Sequence, residues 1–102
     1  MLLAGDIGGT KTVLGLFSTE LGPRRPVVEK AYPSANYDSL EDIALAFLAE
    51  FGLPVEAAVF GVAGPVIQGR AEITNLPWVM EEEHLAETVK VRRARLINDL
   101  DA

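Results

Sequence analysis

The feature that most constrains this chain is a pair of glycines between two apolar runs near its amino terminus. Residues 4–12 read AGDIGGTKT, with an apolar run over residues 2–6 before the glycines and a β-branched and aromatic run over residues 12–18 after them. Two such runs joined by a glycine turn are typical of a β-hairpin. Residues 27–32 alternate and predict a third strand that pairs with the second. We therefore expect the chain to open with three antiparallel strands.

A helix is predicted next, because the apolar period changes after Ser39. Apolar residues recur at i, i+3, i+4, i+7, i+8 and i+11 between residues 40 and 51, which places them on one helical face. Ser39 with Asp42 forms a capping-box-like start, and Gly52 followed by Pro54 is a stop signal. The helix is thus bounded on both sides.

The remaining elements complete an α/β pattern. Residues 57–63 predict a buried strand, residues 70–74 a short extra strand, and residues 95–98 a last strand, while the acidic residues 81–83 suit the amino terminus of a second helix. The predicted order is βββαβ(β)αβ, a mixed sheet with flanking helices. Ligands of such sheets bind beyond the carboxyl ends of the parallel strands, where residues 63–64 and 98–99 fall.

Charge and composition exclude several classes of protein. The 102 residues suit one domain, and a net charge of −6 disfavours a nucleic-acid partner or an anionic membrane surface. Cysteine is absent, the start lacks the basic region of a secretory signal, and no apolar run is long enough for a bilayer. We expect a soluble cytoplasmic protein with no membrane partner.

The glycine turn has the chemistry of a phosphate-binding loop without matching the Walker or dinucleotide motifs. Gly8 and Gly9 lack Cβ and allow a phosphate chain close to their amides, Thr10 can donate a hydroxyl hydrogen bond, and Asp6 can hold a Mg²⁺-bound water. The alternative is a plain hairpin in which the glycines only satisfy turn geometry.

Three further segments give the turn a family context. DIGGT at the start of a βββ unit resembles the first phosphate motif of the sugar kinase, actin and Hsp70 superfamily, whose fold is ribonuclease H-like. FGVAGPV (60–66), TNLPWV (74–79) and LINDL (96–100) resemble the bacterial glucokinase family within it. The family of repressors and related sugar kinases shares a DIGGTK-like start and is the nearest alternative.

The resemblance implies an ATP-dependent kinase of glucose that acts on the 6-hydroxyl, with ATP and Mg²⁺ as cofactors. It maps the catalytic base onto Asp99 and sugar-binding residues onto Asn98 and Asn75. An asparagine–aspartate pair after a strand is also a common helix cap, and a turn asparagine before a proline would look the same as Asn75. Trp78 is expected in the core, and the lone His84 is assigned no function.

The resemblance also bears on the extent of the protein. Residues 1–102 match the small amino-terminal lobe of a glucokinase, without the larger second lobe, and are expected to be inactive alone; a homodimer of the full-length protein is compatible with the family. Alternatives are a kinase of another hexose or an amino sugar, and a non-catalytic sugar-sensing module of the same fold.

Overall fold

The computed structural model describes residues 1–18, 25–73 and 76–98. The elements in chain order are β1 (Leu2–Ile7), β2 (Lys11–Phe17), β3 (Pro26–Pro33), α1 (Leu40–Phe51), β4 (Ala57–Val62), β5 (Arg70–Glu72), β6 (Val79–Glu81), α2 (Glu82–Val89) and β7 (Arg93–Asn98).

The main sheet is mixed and has the strand order β3-β2-β1-β4-β7. β1, β2 and β3 pair antiparallel in succession, whereas β4 lies parallel to β1 and β7 lies parallel to β4. The two crossovers between parallel strands contain α1 and α2, as parallel pairing requires. The α/β fold class and the three opening antiparallel strands are confirmed.

Helix α1 begins and ends where its local signals predict. The Ser39 hydroxyl accepts a hydrogen bond from the amide of Asp42 at 3.2 Å, and Gly52 adopts the left-handed conformation with φ of 60°. The apolar face of α1 is buried and joins the apolar residues of the sheet in one core cluster. Its fully buried members include Leu40, Ile43, Ala44 and Phe47. Burial of each large side chain contributes roughly 1.5–3 kcal/mol relative to exposure.

A small second sheet differs from the predicted pattern. β5 is shorter than the predicted strand over residues 70–74, and it pairs antiparallel with β6, which the sequence did not predict. Ahead of β5, Ile67 and Arg70 exchange two backbone hydrogen bonds around Gln68 and Gly69, whose φ angles are 51° and 73°. Positive φ at both central residues is the geometry of a type I′ hairpin turn. No helix of the described segments is long and apolar enough to cross a bilayer.

Candidate functional site

The carboxyl ends of the three parallel strands lie level at one edge of the sheet. Val62, the last residue of β4, is the register partner of Ile7 at the end of β1 and of Asn98 at the end of β7. The glycine turn follows Ile7 directly, and the Asn98-Asp99 pair stands at the end of β7. Two of the predicted site segments are therefore brought to the same edge, where ligands of parallel sheets bind.

The glycine turn itself is tight. The amide of Gly8 donates to the carbonyl of Lys11 at 3.0 Å, which closes the turn between β1 and β2. A Cβ built on Gly8 would lie 2.9 Å from that same carbonyl oxygen, closer than such contacts occur in proteins. The close approach accounts for glycine at this position.

The turn is braced from behind by Ser34, a buried residue in the 3₁₀ turn Ser34–Asn36 that follows β3. The Ser34 hydroxyl donates to the carbonyl of Gly8 at 2.7 Å, and the Ser34 amide donates to the carbonyl of Thr10 at 3.0 Å. The Thr12 hydroxyl, also fully buried, lies 2.8 Å from the Ser34 hydroxyl. Ser34 thus contacts both sides of the glycine turn.

Sequence reasoning missed Ser34. It stands in no motif, and its position depends on the pairing of β2 with β3, in which Lys11 faces Pro33. That register brings the residue after Pro33 next to Thr10. The only sequence signal was the prediction that the third strand pairs with the second.

The predicted site residues are found as follows. Asp6 is exposed near the end of β1, Gly8 and Gly9 are half-buried, and Thr10 is exposed in the turn. Asn98 is half-buried at the end of β7. Asn75 and Asp99 lie outside the described residues. In the segments that are described, no group of three or more His, Cys, Asp or Glu residues could hold a metal ion by itself.

An open cleft of about 800 Å³ lies beside the small sheet. Its lining includes Ile67, Arg70, Ile73 and Leu76, but none of the residues of the glycine turn. Trp78, also on its wall, is 2 % exposed, and its indole N–H donates to the carbonyl of Tyr37 at 3.0 Å. The prediction that Trp78 belongs to the core is confirmed.

His84, which received no function from the sequence, joins the two helices. Its imidazole is exposed on α2, and its Nδ1 is hydrogen-bonded to the carboxylate of Glu41, a buried residue in the first turn of α1. This hydrogen bond, together with the negative charge of Glu41, raises the pKa of His84 above 6.5.

Known proteins with the same sheet and glycine turn identify the class. A glucokinase crystal structure from an Antarctic psychrotroph superposes with a TM-score of 0.84 and 25% identity, over 97% of this chain and 32% of that protein. A ROK family glucokinase from Streptomyces griseus, crystallised with glucose and AMPPNP, matches with a TM-score of 0.67 and 27% identity over 96% of this chain and 33% of that protein. The fold is thus that of the actin-like, ribonuclease H-like sugar kinases.

The sequence narrows the class to one family. The sequence model of the family described as glucokinase matches residues 3–102, so the chain belongs to the glucokinase family. It is 38% identical over 104 residues to the glucokinase of Nostoc punctiforme and 36% identical over 101 residues to that of Caulobacter vibrioides. The alignments cover 100% and 98% of this chain but 30% of each relative. The chain therefore spans about a third of the length of the glucokinases that it matches.

Proposed function

We propose that this chain is the amino-terminal lobe of an enzyme that transfers the γ-phosphoryl group of ATP to the 6-hydroxyl of glucose. The observation that carries the proposal is the common edge at which Ile7, Val62 and Asn98 stand in register. It brings a braced glycine turn and the start of the Asn98-Asp99 pair to one side of the sheet. Membership of the glucokinase family, and the glucose and AMPPNP of the Streptomyces griseus relative, support the assignment of both substrates.

The glycine turn would bind the nucleotide phosphates. Phosphoryl transfer requires mainly positioning and the neutralisation of charge on the phosphate oxygens. Gly8 and Gly9 would present amides to these oxygens, and the exposed Thr10 would donate its hydroxyl. The residues therefore fit a polyphosphate.

Mg²⁺ fits the same edge through Asp6. The carboxylate is exposed near the end of β1, and Mg²⁺ at phosphate sites is held by one or two carboxylates, by phosphate oxygens and by water. The described residues offer no closed cage of ligands, in keeping with this mode of binding. When bound, the ion would neutralise charge on the phosphates.

Asp99 would act as the general base. Its carboxylate would accept the proton of the sugar hydroxyl as the hydroxyl oxygen forms a bond to the γ-phosphorus and the bond from that phosphorus to the ADP oxygen breaks. Asn98 and Asn75 would hydrogen-bond sugar hydroxyls, since an amide offers both donors and an acceptor. The proton and the phosphoryl group are then both accounted for.

The 102 residues alone would be inactive, because a kinase cleft must exclude water and align both substrates between two lobes. The enzyme would work in the cytoplasm, where the phosphorylated glucose enters glycolysis. The test is sugar-dependent ADP release from MgATP, measured on the gene product extended beyond Ala102 in its reading frame and on the 102-residue chain. Turnover with glucose in the extended protein alone supports the proposal, whereas sugar binding without turnover indicates a sensing module, and preference for another hexose changes the substrate.

A further inference from the structure

We propose that Ser34 is a positioning residue that fixes the orientation of the Gly8–Gly9 peptide, so that the Gly9 amide faces the nucleotide phosphates. The inference rests on the proposed function, because it assigns a role in that site. It concerns a residue that carries no recognisable motif and lies 22 positions or more from the turn residues that it holds.

The hydrogen bonds around Ser34 have a defined direction. A serine hydroxyl carries one proton, and here it is donated to the carbonyl oxygen of Gly8 at 2.7 Å. The contact of 2.8 Å between the Ser34 and Thr12 hydroxyls must then be a hydrogen bond donated by Thr12. Both residues are fully buried, so water does not compete for these bonds. The result is a chain of two bonds that runs from Thr12 through Ser34 to Gly8.

The planarity of the peptide bond transmits this constraint to the Gly9 amide. The described residues contain no cis peptide, and in a trans peptide the N–H points opposite to the preceding C=O. With the Gly8 carbonyl held by Ser34, the Gly9 N–H points away from Ser34. The same argument applies to the Thr10 carbonyl, which accepts from the Ser34 amide at 3.0 Å and turns the Lys11 N–H outward.

A peptide between two glycines needs such a restraint. Glycine adopts positive and negative φ with similar ease, so this peptide can flip at little steric cost. A flipped peptide would direct the negative end of the carbonyl dipole, in place of an N–H, toward the phosphate oxygens. By accepting no proton from the turn and donating one to Gly8, the Ser34 hydroxyl favours the phosphate-binding orientation alone.

The test compares Ser34→Ala with Ser39→Ala in the gene product extended beyond Ala102. Each variant loses one serine hydroxyl and its hydrogen bonds, but Ser39 only caps α1. We expect Ser34→Ala to raise the KM for MgATP and the Kd for MgAMPPNP about fivefold to tenfold, the effect of losing one hydrogen bond in a site. The KM for glucose should stay within about twofold. Ser39→Ala should lower the melting temperature and leave both KM values unchanged.

Two further variants separate orientation from stability. Thr12→Val removes the hydroxyl that donates to Ser34 but leaves the bond from Ser34 to Gly8, so it should lower the melting temperature with little change in nucleotide affinity. Ser34→Cys keeps a small side chain with a weak donor, and it should weaken nucleotide binding less than Ser34→Ala; it also serves if Ser34→Ala does not fold.

The outcomes distinguish this inference from the proposed function. Wild-type turnover combined with an unchanged KM for MgATP in both Ser34 variants overturns the inference alone, as does a Thr12→Val variant that loses as much nucleotide affinity as Ser34→Ala. If the wild-type extended protein binds no MgAMPPNP, the proposed function fails and the role of Ser34 fails with it.

Discussion

Ile7 and Asn98 share one register partner, Val62, so the ends of β1 and β7 lie level across the intervening strand β4. Two strand spacings of about 4.8 Å separate them by roughly 10 Å. A gap of this size can accommodate a sugar hydroxyl and a phosphoryl group between the glycine turn and the end of β7. The sheet, more than either motif alone, makes one site of the two segments.

Gly8→Ala should disrupt the turn. The new Cβ would meet the Lys11 carbonyl oxygen at 2.9 Å, and the backbone must shift because no flexible side chain can yield. We expect a loss of about 1–3 kcal/mol in stability together with at least a tenfold loss of nucleotide affinity, estimated as roughly one lost charge-assisted hydrogen bond.

The control is Gly52→Ala, where φ is 60° but no atom lies within 4 Å of the new Cβ. It should cost stability of about 1 kcal/mol through backbone strain and leave nucleotide binding intact. Thermal unfolding and calorimetry on the extended protein measure both effects. Equal nucleotide affinity in the two variants would argue against the turn as the phosphate site.

Glu82 ties α2 to the edge of the sheet. Its carboxylate accepts the amide of Leu96 in β7 at 2.8 Å, and its own amide donates to the carbonyl of Gly69 at 2.9 Å. Glu82→Ala should destabilise the fold by about 1–2 kcal/mol, because a partly buried strand amide loses a charged acceptor. Glu83→Ala, exposed in the same helical turn, should change stability by less than about 0.5 kcal/mol. Urea unfolding of both variants decides, and equal losses would contradict this role of Glu82.

The pair of His84 and Glu41 should make stability depend on pH. The hydrogen bond and charge of Glu41, with smaller contributions from Glu87 and Glu81, raise the pKa of His84 in the folded chain above 6.5. A raised pKa of a base means that the pair stabilises the fold fully below the unfolded pKa of about 6.5, and that this contribution is lost as pH rises through the folded pKa.

The measurement is an NMR titration of the imidazole, which is unambiguous because the chain has one histidine. In Glu41→Gln the pKa of His84 should return toward about 6.5, and the stability difference from wild type should shrink between about pH 5.5 and about pH 9. Identical titration curves for the two proteins would rule out the coupling.

Lys90→Gly should stabilise the fold. Lys90 caps the carboxyl end of α2 with φ of 63° and ψ of 47°, a left-handed conformation that costs a residue with a Cβ roughly 1 kcal/mol. Allowing for the lost interaction with the helix dipole, a net gain of about 0.5 kcal/mol is expected. Glu87→Gly, inside the same helix, should instead lose about 1 kcal/mol. A fall in melting temperature for Lys90→Gly would show that the lysine makes a larger contribution than its backbone strain.

The parts of the fold that the sequence predicted are those specified locally. Ser39 and Gly52 bound α1 through hydrogen bonds and backbone conformations within one turn, and the apolar runs of β1, β2 and β4 match their burial. The glycine turn was predicted for the same reason, because its residues are adjacent in the chain.

The parts that were missed depend on distant pairing. β6 has three residues and exists through its pairing with β5, after a turn in which Gln68 takes an uncommon positive φ. Ser34 reaches Gly8 only through the register of β2 with β3, and His84 reaches Glu41 only once both helices pack. None of these contacts leaves a pattern in the neighbouring residues.

The most direct test of the central claim is the kcat of Asp99→Asn in the extended protein, beside Asp101→Asn as the matched control. If Asp99 is the general base at this edge, its replacement lowers kcat by about 10²-fold or more while glucose binding is retained, and Asp101→Asn, which removes only a candidate helix cap, keeps kcat within about twofold. An unchanged kcat in Asp99→Asn, or an equal loss in Asp101→Asn, would contradict the assignment of the catalytic base to Asp99.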